Sequence, residues 1–146
     1  VNSQRTTDPL EKSENQILGR ESWNVDCSVT GGEGTKICTM RKNHITVMRI
    51  NDNYSLSVGI KHKKNSITLL KVDNNSIWQA REGLYRDAQT IIDQFKRGFE
   101  VKTEFNAFNT TKPVVNEVSL IGFSDAFNDM QQQYSKLDHL DAQRRF

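Results

Sequence analysis

The sequence predicts a mainly β domain, an antiparallel β-sandwich or partly closed barrel with two short helices. Three observations carry this. Apolar and polar residues alternate with period two through most of the chain. Glycine-rich or Asn/Asp-rich turns punctuate the alternation at the short spacing expected of strands in a sandwich or barrel. Only two segments, residues 87–98 and 124–137, change to apolar spacings of three and four.

Taken in order, residues 1–20 are polar, contain Pro9 and show almost no apolar period, which reads as a flexible arm. From there Trp23, Val25, Cys27 and Val29 fall on one face, while Asn24, Asp26 and Ser28 fall on the other. That is a half-buried strand. Residues 30–34, Thr-Gly-Gly-Glu-Gly, supply backbones able to take positive φ, so the chain turns and returns through residues 36–41 as a hairpin. Ile45, Thr46, Val47 and Ile50 make a β-branched strand, and Asn51, Asp52 and Asn53 make a turn. Tyr54, Leu56, Val58 and Ile60 then share a face, followed by a polar turn at residues 61–65, a strand at 67–72, a turn at 73–75 and a short apolar pair, Ile77 and Trp78. Ala88, Ile91, Ile92 and Phe95 lie at helical spacing, with Gly98 as the stop. Phe99, Val101, Thr103, Phe105 and Ala107 alternate again, and residues 114–121 form a last strand. Ser124 is placed to cap a closing helix whose stripe is Phe127, Met130, Tyr134 and Leu137. The expected organisation is one domain over residues 21–137 with a loose tail at 138–146.

A chain of 146 residues can bury one core without several staples or a metal. Its net charge of +2 leaves no nucleic-acid footprint by charge alone. No run of 18 apolar residues is present, so no transmembrane helix is expected. The start at Val1, with no charged-then-apolar leader, suits a mature chain whose export signal has been removed.

Cys27 and Cys38 are the only cysteines. On adjacent strands of one hairpin they suit a disulfide, and with it an oxidising compartment; the alternative is two small buried thiols in a reducing one. Their spacing lacks the close pairing and further ligands of a zinc site, so no metal and no cofactor is expected. His44, His62 and His139 fall in a turn, a lysine cluster and the tail, where solvation is the expected role. No Gly-x-Ser-x-Gly elbow is present, and the glycine run at 31–34 joins two strands and lacks the Lys-Ser pair of a phosphate loop. The remaining candidate is an interaction surface of Lys61, Lys63 and Lys64 with Tyr54 and Trp78 as flat partners. A solvated turn that discourages edge pairing is the competing reading.

Trp23-x-Val25-x-Cys27 with a glycine-bearing turn to Cys38-x-Met40, the join Phe95-Lys-Arg-Gly98-Phe-Glu-Val101, and the ending Val118-Ser-Leu-Ile-Gly122-Phe-Ser-Asp-Ala126-Phe together resemble the invasion-associated locus B family. The resemblance spans residues 21–130. It implies a β-rich single domain exported to the periplasm or cell surface of a Gram-negative bacterium, with no established enzymatic activity, associated with entry into host cells. Cys27 with Cys38 matches that family's first cysteine pair. A second pair, which many relatives carry in the loop before the short helix, is missing here, and Leu84 stands where one cysteine is expected.

The expected function is therefore a non-enzymatic envelope or surface protein that binds an unidentified protein or envelope component, as monomer or homodimer, and supports host interaction or envelope upkeep. One alternative is a small periplasmic enzyme or inhibitor acting on cell-wall or polysaccharide material, with Glu82 and Asp87 as its carboxylates. Another is an intracellular nucleic-acid-binding barrel using Lys61, Lys63, Lys64 and Tyr54.

Overall fold

The computed structural model describes residues 23–144, with side chains as far as Leu137. The expected arm at 1–20 lies outside the described residues, as does the side chain of His139. From Trp23 the chain runs as a meander in which β1 (Asn24–Thr30), β2 (Thr35–Lys42), β3 (Ile45–Ile50) and β4 (Asn53–Val58) pair antiparallel in order. The turns fall where the sequence allows a left-handed backbone. Gly34, Asn43 and Asn51 have φ of 68°, 54° and 53°, which glycine adopts freely and asparagine at small cost.

A second sheet starts with β5 (Ile67–Val72), beside which β6 (Trp78–Arg81) pairs, and β7 (Leu84–Arg86) then crosses back to lie against β4. After α1 (Gln89–Arg97), β8 (Glu100–Phe105) takes the other side of β5, β9 (Val114–Ser119) pairs with β8, and α2 (Phe123–Arg144) closes the chain. The result is a five-stranded sheet, β1-β2-β3-β4-β7, and a four-stranded sheet, β6-β5-β8-β9. The two ladders stay separate among the described residues. Of the expected sandwich or partly closed barrel, the protein has the two-sheet sandwich; the sheets do not close into a barrel.

Alternation along each strand builds the core. On the five-stranded sheet Met40, Val47 and Leu56 stand opposite one another in the ladder, and all three are fully buried. On the other sheet Val72, Val101 and Val118 do the same. Each such side chain contributes about 1.5 to 3 kcal/mol of burial free energy. The α2 stripe also faces inward: Phe123, Phe127, Met130 and Leu137 are buried, and the helix lies along β1 and β2. Trp23 ties these parts together. Its ring meets Phe123 edge-on at 5.0 Å and Phe95 of α1 at 6.5 Å, while Phe95 and Phe123 meet at 5.2 Å.

Several local expectations change. The stretch from Gln79 to Arg86 is not a plain loop but the β6–β7 crossover between sheets, too short for its period to register in the sequence. Ser124 does not cap its own helix, which begins one residue earlier; its hydroxyl donates instead to Lys96 O at the end of α1, 3.3 Å away. α2 continues to Arg144 where a loose tail is expected from residue 138, since nothing there is glycine or proline. Phe99 is 77% exposed, outside the alternation that buries Val101 and Phe105. Gly98 does end α1, but in extended backbone at φ −93° and ψ 172°. It is required by space: a Cβ there would stand 2.6 Å from Val72 Cγ1 and 3.0 Å from Gln94 O.

Candidate interaction surface

The hairpin register places Cys27 directly opposite Cys38, with their Cα atoms 4.0 Å apart, and the two form a disulfide. Cys38 has no exposed surface, and its sulfur sits 3.9 Å from Met130 O of α2. The staple thus lies between the five-stranded sheet and the closing helix, with Cys38 fully covered and Cys27 half-buried. Arg49 stands opposite Cys38 in the β2–β3 ladder with its guanidinium engaged by Tyr134 and Gln131, and sulfurs joined in a disulfide offer no thiolate nucleophile.

Beside the staple, the same sheet face carries a polar latch. Arg49 is in phase with Ile45 and Val47, so its side chain points at α2. Its guanidinium lies 3.5 Å from the ring centroid of Tyr134 and 5.4 Å from that of Tyr54. Nη1 donates to Gln131 Oε1 at 2.6 Å and Nε to Asn51 O at 2.8 Å, while Gln131 Nε2 donates to the Tyr54 hydroxyl at 2.9 Å. Tyr54 also stacks on Phe127, with centroids 5.9 Å apart. Arg49 and Gln131 were not singled out from the sequence. The available signal was an arginine at an inward position of an alternating strand, which must find a partner or be excluded from the core.

The expected surface of Lys61, Lys63, Lys64, Tyr54 and Trp78 is not assembled. Tyr54 stands near the start of β4 and is engaged by α2, whereas the lysines follow the other end of that strand. Trp78 is half-buried on β6, its Nε1 donating to Gln94 Oε1 of α1 at 3.1 Å. Lys61, Lys63 and Lys64 are exposed, and their backbone is pinned to the chain after β8: Lys63 N donates to Asn106 O and Phe108 N to Lys61 O, both at 2.8 Å. His62 departs from the solvated role expected of it. It is half-buried, its ring meets Phe105 at 5.2 Å, and it packs over Gly83, where a Cβ would stand 2.9 Å from the imidazole and collide with Val58 O. His44 also packs on Phe105, at 5.7 Å.

Glu82 and Asp87 stand at the two ends of β7, both exposed. Glu82 and Gly83 form a left-handed turn before β7 and Asp87 is left-handed after it, with φ of 51°, 73° and 53°. Glu82 Oε2 accepts Asn65 N at 3.1 Å. Among the described residues no group of three or more His, Cys, Asp or Glu is arranged to hold a metal ion, and no helix is long and apolar enough to cross a membrane.

What the fold does present is the outer face of the four-stranded sheet. Ile67, Ile77 and Val115 are 47%, 55% and 50% exposed there. Beside Ile77 lies a groove of about 260 Å³, lined also by Leu69, Lys71, Lys102 and Glu104. The register explains the mixture: Leu69, Glu104 and Val115 form one cross-strand row, and Lys71, Lys102 and Glu117 the next. Lys71, Lys102 and Arg81 against Glu100, Glu104 and Glu117 leave this face near neutral, with apolar side chains between the charges.

At the opposite end of β9, Lys42 reaches across from the five-stranded sheet. Its Nζ donates to Ser119 O at 2.7 Å and lies 5.8 Å from the Trp23 ring, and partial burial holds the ammonium below its ordinary pKa. Comparison with protein-family models, curated proteins and solved structures finds no match for this chain.

Proposed function

We propose that this chain is an exported, non-enzymatic protein of a Gram-negative envelope or cell surface that binds a partner and supports host interaction or envelope upkeep. The observation that carries the reading is the Cys27–Cys38 disulfide beneath α2. Disulfides of this structural kind persist in oxidising compartments such as the periplasm and cell surface and are rare in a reducing cytosol. The resemblance to the invasion-associated locus B family, across residues 21–130, points the same way.

The outer face of the four-stranded sheet is the binding surface that suits this role. Its apolar side chains and balanced charges fit a protein partner, whereas a nucleic acid would call for a basic stripe. Lys71 and Lys102 are offset there by Glu104 and Glu117. The experiment is a photo-crosslinking residue placed in the native host at Ile77, and separately at Lys64 in the basic turn. An envelope or host-surface protein captured from position 77 and not from 64 is the expected result. Capture from 64 alone moves the surface to the basic turn, and capture from neither, with the protein found in the cytoplasm, overturns the reading.

A further inference from the structure

β9 is the outermost strand of its sheet, and its free side has a definite donor and acceptor pattern. Leu120 N donates to Phe99 O at 2.9 Å, and the ladder sets Val114, Asn116 and Val118 opposite Phe105, Thr103 and Val101. Hydrogen-bonding direction alternates along an antiparallel strand, so the even-numbered residues bond to β8. Val115, Glu117 and Ser119 therefore turn their N–H and C=O groups outward. The Lys42 ammonium on Ser119 O fits this assignment. Between Val114 and Ser119 there is no proline and no lysine, and Glu117 is the one charged residue on the edge.

We propose that β9 pairs antiparallel with β9 of a second copy about a two-fold axis through Asn116, making one continuous eight-stranded sheet. The register follows from elimination. An axis through Glu117 sets two glutamates directly opposite each other, which is unfavourable. An axis through Val115 sets the outward groups of Glu117 against Pro113, which has no N–H. An axis through Val118 sets Glu117 against Ser119, whose carbonyl Lys42 already occupies. With the axis at Asn116, Val115 and Glu117 of each copy exchange both backbone bonds with Glu117 and Val115 of the other. Ser119 then faces Pro113, so the carbonyl held by Lys42 lies opposite the one residue with no N–H to offer, while Ser119 N donates to Pro113 O. The Asn116 side chains meet at a non-hydrogen-bonded position, where facing side chains approach most closely.

The test uses the oxidised full chain. Sedimentation velocity is expected to show a dimer at high protein concentration, and Val115→Pro is expected to weaken it by about tenfold or more. That proline removes an N–H directed away from β8, so the β8–β9 ladder and the unfolding midpoint stay as they are. Register is read separately. Asn116→Cys is expected to form a disulfide-linked dimer, because opposed positions of this type have Cα atoms about 4.5 Å apart, whereas Ser119→Cys is expected to form none. A monomer at every concentration, a dimer that Val115→Pro leaves intact, or crosslinking through position 119 as readily as through 116 would each overturn the proposal.

Discussion

Replacing Cys27 and Cys38 together with alanine is expected to lower stability by about 3 to 4 kcal/mol, and the figure can be built from the structure. The bridged positions are separated by 11 residues, and the chain-entropy relation for a loop of that size gives about 2.8 kcal/mol at 25 °C. Cys38 is fully buried beneath Met130, so alanine there also leaves a small void worth about 1 kcal/mol. Alanine is preferred to serine because a buried hydroxyl without a partner would add about 1 to 3 kcal/mol of its own. The hairpin itself stays paired, because seven cross-strand pairs from Asn24↔Arg41 to Thr30↔Thr35 do not depend on the sulfurs. With a urea slope of about 1 to 3 kcal/mol/M, the midpoint is expected to fall by about 2 M. Reduced wild-type protein is expected to fall nearly as far, since it loses the closed loop and keeps the packing. If the double mutant and the oxidised protein unfold within about 0.3 M of each other, the disulfide is not a stabilising staple and the reasoning fails.

Three further outcomes follow from the packing. Arg49→Met is expected to destabilise by about 2 kcal/mol through lost stacking and charged hydrogen bonds and to raise amide exchange in α2, while Asp52→Ala changes stability by less than ~0.5 kcal/mol. The second value is small because Asp52 is 95% exposed and surface ion pairs contribute little. Gly83→Ala combines a left-handed φ of 73° with a Cβ driven into Val58 O; thermal denaturation is expected to show a loss well above the ~1 to 2 kcal/mol of the backbone conformation alone. Burial raises the Tyr85 hydroxyl above its ordinary pKa of 10.0, and that hydroxyl donates to Thr68 O at 3.0 Å. The proton is bound more tightly in the folded state, so this contribution is whole below pH 10 and is lost as pH rises beyond it. Denaturation across the alkaline range is expected to show that loss, and Tyr85→Phe is expected to reduce its slope.

Much of the fold was legible because its signals are local. The period-two alternation of β1 and β4, the Asn and Gly turns, and the three-four spacing of α1 and α2 each reflect a geometry that a few neighbouring residues impose. The β6–β7 crossover was not legible, because Trp78–Arg81 and Leu84–Arg86 are too short to show a period and are held by partners distant in the chain. The sites divide in the same way. Cys27 and Cys38 could be paired because they flank one turn. Arg49 and Gln131 are 82 positions apart, and only α2 folding over the sheet brings them together. Tyr54 and the lysines after β4 are near in sequence yet lie at opposite ends of one strand, so closeness along the chain misled. The lysines around His62 give it the signature of a solvated turn, although its own ring turns inward onto Phe105.

The most direct test of the account is the redox state of Cys27 and Cys38 in the native host, read by alkylating intact cells before lysis and measuring each cell fraction by mass spectrometry. The account expects the chain in the envelope or surface fraction, with both cysteines protected from alkylation until a reductant is added. Recovery from the cytoplasm with both thiols alkylated would contradict it.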